Sequence, residues 1–181
     1  MFDHLSVLGP PQIGALLVLL QRGLEELYST RNTRRLRKAG AVEVAPGYYR
    51  LIVVANLCWL AAIYFLLPHT APVLVLPLGL YLLLQVARYW IIATLGHYWT
   101  HRIVTLENAP LVRSGIYRYC AHPNYVITIL EMLLLPMVFG GWVQGAVSAA
   151  LYAPILGYKI VLEDRALAPR RSLPPSKTAG T

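Results

Sequence analysis

Residues 118–125 read Arg-Tyr-Cys-Ala-His-Pro-Asn-Tyr, and the chain continues from Val126 to Val138 with Glu131 as the one charged residue of that run. Proline lacks a backbone donor and disfavours helical geometry in the preceding residue, so we expect His122 at a helix entrance. The apolar run predicts that this helix lies in a membrane. The stretch therefore predicts polar chemistry at a membrane boundary.

The composition excludes an ordinary soluble domain. The chain has 181 residues, of which 57% are hydrophobic and 13% are charged, and its mean hydropathy is +0.54. One membrane-spanning helix needs roughly 20 apolar residues, so the chain has room for about five helices and for no large soluble domain. We therefore predict an all-α integral membrane protein with about five transmembrane helices.

The five predicted spans follow from the apolar runs and the polar segments between them. They run from about Pro11 to Tyr28, Tyr49 to Leu67, the end of the link Pro68–Pro72 to Leu95, Val126 to Val138, and Trp142 to Tyr158. The last two are joined so tightly that they form an antiparallel helical hairpin. The amino terminus lacks the basic segment of a secretory signal, so we expect the first span to be retained.

Basic residues set the predicted orientation. The formal net charge is +8, but these residues occur in blocks between apolar runs, which indicates membrane topology rather than a nucleic-acid partner. The basic segment 31–38 is therefore expected in the cytosol, together with a connector at 96–125. From residue 169 onward, a proline-rich tail is expected to be disordered.

The first span also carries charged residues. Arg22 and Glu26 are four positions apart, where they can pair on one helix face. Two interpretations stay open: the charges reach towards water at the inner end of the span, or they belong to a polar site inside the bundle.

The helical hairpin returns the chain to the cytosolic side, so residues 118–125 and 159–165 are expected to meet in one polar pocket. This pocket would hold titratable or stacking groups, acceptors for hydroxyl or ammonium groups, and cations for a carboxylate. His122 and Tyr125 are the titratable or stacking groups, Glu163 and Asp164 are the acceptors, and Arg118 and Lys159 are the cations. The pocket suits a small zwitterionic cofactor with hydroxyl groups. Alternatively, Lys159 and Glu163 form a surface pair.

Glu131 requires its own explanation, because it lies roughly 9 Å of helix rise beyond Tyr125, at about 1.5 Å per residue. It would take a proton from a lipid-soluble substrate. Alternatively, it would make a polar contact with Arg88 or Gln85 of the third span, because a carboxylate inside a membrane needs a site or a partner.

His97 and His101 have a spacing that can bind a metal from one helical face. No glutamate lies between them and no third ligand follows at a fixed spacing, so we predict no metal and expect histidines at an interface or in a substrate pocket. Cys58 and Cys120 form neither a disulfide framework nor a metal-binding pair. Nucleotide-binding loops and a nucleophilic serine motif are also missing from the sequence.

Two motifs, His-Pro-Asn-Tyr at 122–125 and Lys-x-x-x-Glu-Asp at 159–164 after the helical hairpin, resemble those of the isoprenylcysteine carboxyl methyltransferase family of integral membrane enzymes. Further agreement comes from residues 31–35, 96–103 and 109–115. These strings are similar to the bacterial branch, which includes O-methyltransferases acting on alkylpyrones and alkylresorcinols. The chain departs from the family at Ala121, where arginine is usual, and at Asp164, where a second glutamate is usual. Arg118 or Arg102 would replace the missing cation.

The resemblance covers residues 21–167 and implies an S-adenosylmethionine-dependent enzyme. It implies one transmembrane methyltransferase domain at 1–168, with the catalytic connector and hairpin at 96–167. The residues assigned to cofactor binding are Arg118, Tyr119, His122, Pro123, Tyr125, Lys159, Glu163 and Asp164. Proton removal is assigned to Glu131 and His97.

The expected reaction transfers a methyl group to an oxygen of a lipophilic acceptor, an alkylpyrone or alkylresorcinol polyketide, at the cytosolic face of a membrane. If the bacterial resemblance holds, this is the inner membrane. An isoprenylcysteine carboxylate is an alternative acceptor, and it would need no base. Two further alternatives are a nicotinamide-dependent lipid or sterol reductase and a non-enzymatic membrane scaffold. Beyond the acceptor and membrane lipid, no obligate protein partner is inferred.

Overall fold

The computed structural model describes residues 8–170 except Asn108, Pro110 and Arg113. The five α-helices are α1 Pro10–Lys38, α2 Pro46–Leu66, α3 Val75–Leu95, α4 Pro123–Val138 and α5 Trp142–Leu167. Short 3₁₀ helices lie at Gly96–Tyr98, Gly115–Arg118 and Ala168–Arg170. The predicted all-α class is confirmed. The predicted disordered tail, apart from Pro169 and Arg170, lies outside the described residues.

Three helical segments are long and apolar enough to cross a membrane, namely Pro46–Leu66, Val75–Tyr98 and Trp142–Arg170. In each of them, 22% of the most apolar 18-residue stretch is buried inside the bundle. Most of each stretch is therefore left to contact lipid. The helix α4 is apolar but only 16 residues long, whereas α1 has 29 residues and carries charges in its middle. These features identify an integral membrane protein.

Two helices continue beyond the predicted spans. The helix α1 runs through the basic segment to Lys38, and α5 runs past Tyr158 to Leu167. By contrast, α3 stops at Leu95, because Gly96 adopts a positive φ of 51° that favours glycine. His97 therefore lies beyond α3, in a short 3₁₀ helix.

Two helical hairpins pack side by side. The turn between α2 and α3 contacts the turn between α4 and α5, where the Leu74 N–H donates to the Val138 carbonyl at 2.7 Å. We call this the hairpin end of the bundle, and the opposite end, which carries residues 96–122, the connector end. The core between the helices includes buried Trp59, Ile63 and Met132.

A two-stranded antiparallel ladder, which the sequence did not predict, holds the connector in place. Strand β1 (Val42–Val44) pairs with β2 (Ile103–Thr105), with Val42 opposite Thr105. The ladder joins the α1–α2 linker to the connector. Three-residue strands are too short to produce a recognisable period of two in the sequence.

Candidate functional site

The site begins where α4 and α5 meet at the connector end. His122 precedes α4 with a non-helical backbone, and Pro123 is the first helical residue, as the sequence predicts. His122 Nε2 lies 3.1 Å from Asp164 Oδ1, and Nδ1 lies 3.5 Å from Glu163 Oε2. The expected meeting of residues 118–125 with residues 159–165 is confirmed by these contacts.

Tyr125 completes this cluster. Its hydroxyl donates to Glu163 Oε2, and its ring stacks on His122 with ring centroids 5.5 Å apart. Hydrogen bonding to Glu163 raises the pKa of His122 above its usual range, and burial opposes this shift only in part. The two carboxylates therefore favour the protonated form of His122.

A cavity of about 450 Å³ opens beside this cluster at the connector end. We call it the first cavity. Its polar lining includes Tyr98, Thr100, Arg102, Tyr117, His122, Glu163, Asp164 and Arg170, and its apolar lining includes Leu36, Leu95, Ile103, Val104, Leu106, Leu111, Val112, Ala121 and Leu167. Carboxylates, cations and an apolar wall together fit a small zwitterion that carries hydroxyl groups and an apolar portion.

Arg118 and Tyr119, assigned to cofactor binding from the sequence, do not line the first cavity. Both are exposed, and the Arg118 guanidinium lies 5.9 Å from the Tyr119 ring. The 3₁₀ helix Gly115–Arg118 instead turns Tyr117 towards the cavity, and burial raises the pKa of this phenol. Of the two arginines considered as replacements at Ala121, Arg102 is the one that lines the first cavity.

The second cavity, of about 260 Å³, lies between the helices. Its apolar lining includes Leu19 of α1 and Leu57 of α2, which are also exposed on the outer surface, so the cavity reaches the face that contacts lipid. Its polar lining consists of Arg22, Glu26, Tyr49, Asn56, Arg88, His101, Asn124, Tyr125, Thr128, Tyr152 and Lys159. No described residue lines both cavities.

Lys159 lies at the boundary between the two cavities. It is buried, its Nζ donates to the His101 carbonyl at 2.9 Å, and this nitrogen lies 5.1 Å from the centre of the Tyr125 ring. The alternative of a surface pair with Glu163 is therefore wrong. Lys159 faces the second cavity, whereas Glu163, one turn later, faces the first.

Glu131 is fully buried in a cluster of ion pairs. Arg88 Nε donates to Glu131 Oε1 at 2.7 Å, and Arg22 Nη2 donates to Oε2 at 2.5 Å. Gln85 also donates to Oε1, at 2.8 Å. The contact with Arg88 or Gln85 that the sequence analysis gave as an alternative is thus observed. Glu131 is absent from the lining of both described cavities.

The pairing of Arg22 with Glu26 that the helix spacing would allow is not observed. Arg22 pairs with Glu25 at 2.9 Å and with Glu131, whereas the partners of Glu26 are Thr30 and His101. The charges of the first span therefore belong to a polar cluster inside the bundle rather than to a solvated helix end. The sequence could not show the pairing of Arg22 with Glu131, because the two residues are 109 positions apart in the chain.

His97 and His101 do not share a helical face. His97 packs against the Tyr98 ring with centroids 4.1 Å apart and lines neither described cavity. His101 lies at a bend before strand β2 and lines the second cavity, while its neighbours Thr100 and Arg102 line the first. The reason is the end of α3 at Leu95, which places both histidines beyond the helix.

Comparisons with known proteins match the segment of the chain that carries most of this site. Residues 76–169 match the isoprenylcysteine carboxyl methyltransferase (ICMT) family. Every residue that lines the first cavity, apart from Leu36 and Arg170, falls in this segment. The uncharacterized protein YpbQ of Bacillus subtilis (strain 168) is 31% identical over 161 residues, which cover 83% of this chain and 92% of that protein. No solved structure matches the chain.

Proposed function

The chain belongs to the isoprenylcysteine carboxyl methyltransferase family, and from this premise we propose that it transfers a methyl group from S-adenosylmethionine to an oxygen of a lipophilic acceptor. The observation that carries the proposal is the pair of adjacent cavities. One is lined by charged and apolar groups of the connector, and the other reaches the lipid-facing surface. The Tyr125–Glu163 hydrogen bond lies between them.

The first cavity fits the cofactor by the chemistry of its donor set. Glu163 and Asp164 offer acceptors for ribose hydroxyls and an ammonium group. Arg102 pairs with Glu43 at 3.1 Å through Nη1, and the other N–H groups of its guanidinium offer donors for a carboxylate. When bound, the cofactor supplies a methyl group on a positively charged sulfur. The residues of the chain then act chiefly by aligning the acceptor oxygen with that methyl group.

The second cavity fits the acceptor. Its apolar mouth between α1 and α2 suits a long alkyl chain, and its inner end is polar. A lipid acceptor would therefore enter from the bilayer with its chain towards Leu19 and Leu57. Its reactive oxygen would lie near Tyr125, on the side of the cavity that faces the cofactor.

The polar end of the second cavity favours a neutral hydroxyl acceptor, such as an alkylpyrone or an alkylresorcinol. Arg22 already pairs with Glu25 at 2.9 Å and with Glu131 at 2.5 Å, and Arg88 pairs with Glu131 and lies 3.6 Å from Glu25. Asn124 Oδ1 is buried without a hydrogen-bond partner among the described residues. An acceptor hydroxyl can donate to this oxygen, whereas a carboxylate cannot, because it carries no proton.

An isoprenylcysteine carboxylate is the second candidate acceptor, and one observation favours it. Arg22 Nε is buried and lacks a hydrogen-bond partner among the described residues, and Arg22 lines the second cavity. An N–H donor of this kind would bind a carboxylate oxygen. The two acceptors therefore differ in which unsatisfied atom they would engage.

The proposal is tested with purified protein in lipid nanodiscs and methyl-labelled S-adenosylmethionine. One reaction contains long-chain alkylpyrones and alkylresorcinols, and another contains prenylcysteine analogues. We expect label on the hydroxyl acceptors, and loss of labelling in His122→Ala. Labelling of the prenylcysteine alone would move the assignment to the carboxylate. Absence of labelling in both reactions at a saturating concentration of S-adenosylmethionine would contradict the proposed activity.

A further inference from the structure

His101 occupies a distinctive place in the wall between the two cavities. The segment from Thr100 to Arg102 joins the 3₁₀ helix Gly96–Tyr98 to strand β2, and the backbone bends at His101 and Arg102. Thr100 and Arg102 line the first cavity, and His101 lines the second. The His101 side chain is therefore on the acceptor side of the wall that methyl transfer must cross.

Contacts from three elements fix the position of His101. Its backbone N–H donates to Ser29 Oγ of α1 at 2.8 Å, and its carbonyl accepts a hydrogen bond from Lys159 of α5 at 2.9 Å. Its ring packs edge-on against the Trp99 ring, with centroids 4.6 Å apart. The backbone of His101 is thus held by α1 and α5, and its ring is held by Trp99.

Glu26 selects the tautomer of the His101 ring. The distance from His101 Nδ1 to Glu26 Oε2 is 2.9 Å, so Nδ1 carries the proton and donates it to the carboxylate. Nε2 is then the nitrogen with the free electron pair. It lies 3.9 Å from Glu25 Oε2, which is beyond hydrogen-bonding distance. A carboxylate-oriented imidazole of this kind is the usual arrangement of a general base.

Burial and the charge of Lys159 favour the neutral form of this imidazole, which can accept a proton. Burial lowers the pKa of His101, and the Lys159 charge acts in the same direction. The carboxylates of Glu25 and Glu26 act in the opposite direction but do not cancel the effect. The other charged or titratable groups that line the second cavity are Arg22 of α1, Tyr49 of α2, Arg88 of α3, Tyr125 of α4 and Tyr152 of α5.

We propose that His101, oriented by Glu26, is the general base that removes the proton from the acceptor hydroxyl in the second cavity. This proposal rests on the proposed function, and it replaces His97 and Glu131 as the groups assigned to proton removal. Glu131 is left with the task of fixing Arg22 and Arg88, with which it pairs.

The step balances in atoms and charge. The acceptor hydroxyl gives its proton to His101 Nε2, and the O–H electron pair stays on the acceptor oxygen. This oxygen forms the new bond to the methyl carbon, whose bond to sulfur breaks with its electron pair going to sulfur. The sulfur becomes neutral, the imidazole becomes an imidazolium, and the imidazolium later releases its proton to water.

A base matters only for an acceptor that binds with its proton. The test therefore uses two probes that carry the same long alkyl chain, a phenol and a nitrophenol. At the assay pH the nitrophenol is largely ionised and the phenol is not. For His101→Gln, we expect a loss of about 10² to 10⁴ in rate with the phenol, as is typical for removal of a general base. With the nitrophenol the loss should be under about 10-fold, since no proton has to be removed.

Two further variants define the mechanism. Glu26→Gln should lose about 10-fold to 100-fold with the phenol, because it leaves the ring in place and weakens its orientation. His69→Gln, at the hairpin end, is the matched histidine control and should behave as the wild type. Equal losses with both probes for His101→Gln would overturn the proposal, because they would indicate a role in binding or folding.

A readout without cofactor separates this proposal from the proposed function. The visible absorbance of the bound nitrophenol reports its ionised fraction at a pH below its pKa in water. We expect a larger ionised fraction on the wild type than on His101→Gln, with similar affinity for both proteins. Equal ionised fractions would overturn the assignment of His101. Ionisation by the wild type without any methyl transfer would contradict the proposed function and leave the base assignment standing.

Discussion

His122 and Asp164 are 42 positions apart in the chain, and His122 Nε2 lies 3.1 Å from Asp164 Oδ1. The contact joins the start of α4 to the last turns of α5. Glu163 lies on the other side of the ring, 3.5 Å from Nδ1. A protonated His122 therefore bridges two carboxylates at the edge of the first cavity, and this has a measurable dependence on pH.

The His122 bridge predicts that stability falls as pH rises. The pKa of His122 is raised in the folded protein. Its contribution is therefore complete below the ordinary histidine pKa of about 6.5 and is lost as pH rises through the raised value. His122→Asn should lower the melting temperature more at about pH 5.5 than at about pH 9. Thermal unfolding in detergent, followed by circular dichroism, measures this; an equal decrease at both pH values would contradict it.

Removal of the Glu131 charge should destabilise the protein. Glu131→Gln leaves the two cations of Arg22 and Arg88 with only the Glu25 carboxylate, and breaking a buried pair in this way typically costs about 3–5 kcal/mol. The double variant Arg88→Met/Glu131→Met should cost less, because it removes both charges of one pair. Chemical or thermal unfolding compares the three proteins. Unchanged stability of Glu131→Gln together with complete loss of methyl transfer would instead support a catalytic role for Glu131.

The packing of the second helical hairpin depends on Gly145. A Cβ atom at this position would lie 2.3 Å from the Leu133 carbonyl oxygen, so α4 and α5 would have to separate. Gly145→Ala should therefore destabilise the protein by about 1–3 kcal/mol. Gly157→Ala is the matched control on the same helix, since nothing lies within 4 Å of a Cβ there. This control should be neutral or slightly stabilising, because alanine favours helix; an equal loss in both variants would exclude the packing explanation.

Arg102 should contribute to cofactor affinity. It lines the first cavity, and its guanidinium lies 4.0 Å from the centre of the Tyr49 ring. Arg102→Ala should weaken binding of S-adenosylhomocysteine by roughly 10-fold or more, the usual magnitude for a hydrogen bond to a charged group. Isothermal titration measures this, with Arg50→Ala, an exposed arginine of α2, as the control.

The same titration decides between the two arginines considered as replacements at Ala121. Arg118 is exposed and outside the first cavity, so Arg118→Ala should lose less affinity than Arg102→Ala. The reverse order would show that Arg118 moves to the cofactor on binding.

Much of the architecture could be predicted from the sequence, because apolar runs and proline positions are local signals. The helix entrance at His122 and the meeting of α4 with α5 follow from the His-Pro pair and the tight hairpin. The continuous extension of α1 to Lys38 was not predicted, because a basic segment reads equally well as a loop.

The remaining errors concern tertiary contacts and backbone geometry. The partners of Glu131 come from two other helices, and no local pattern relates them. Proton removal was assigned to His97, which lines neither described cavity, whereas His101 lines the second cavity. Both histidines lie beyond α3, whose predicted end at Leu95 is observed, and no local pattern in the sequence shows which of them faces a cavity.

Equilibrium dialysis with labelled S-adenosylmethionine measures whether the first cavity binds this cofactor through Glu163. Three proteins are compared: the wild type, Glu163→Gln, and Glu107→Gln, which alters an exposed acid of the same connector. We predict saturable binding by the wild type and Glu107→Gln, and an affinity at least about 10-fold lower for Glu163→Gln. Absence of binding by the wild type, or equal affinity in all three proteins, would contradict the account.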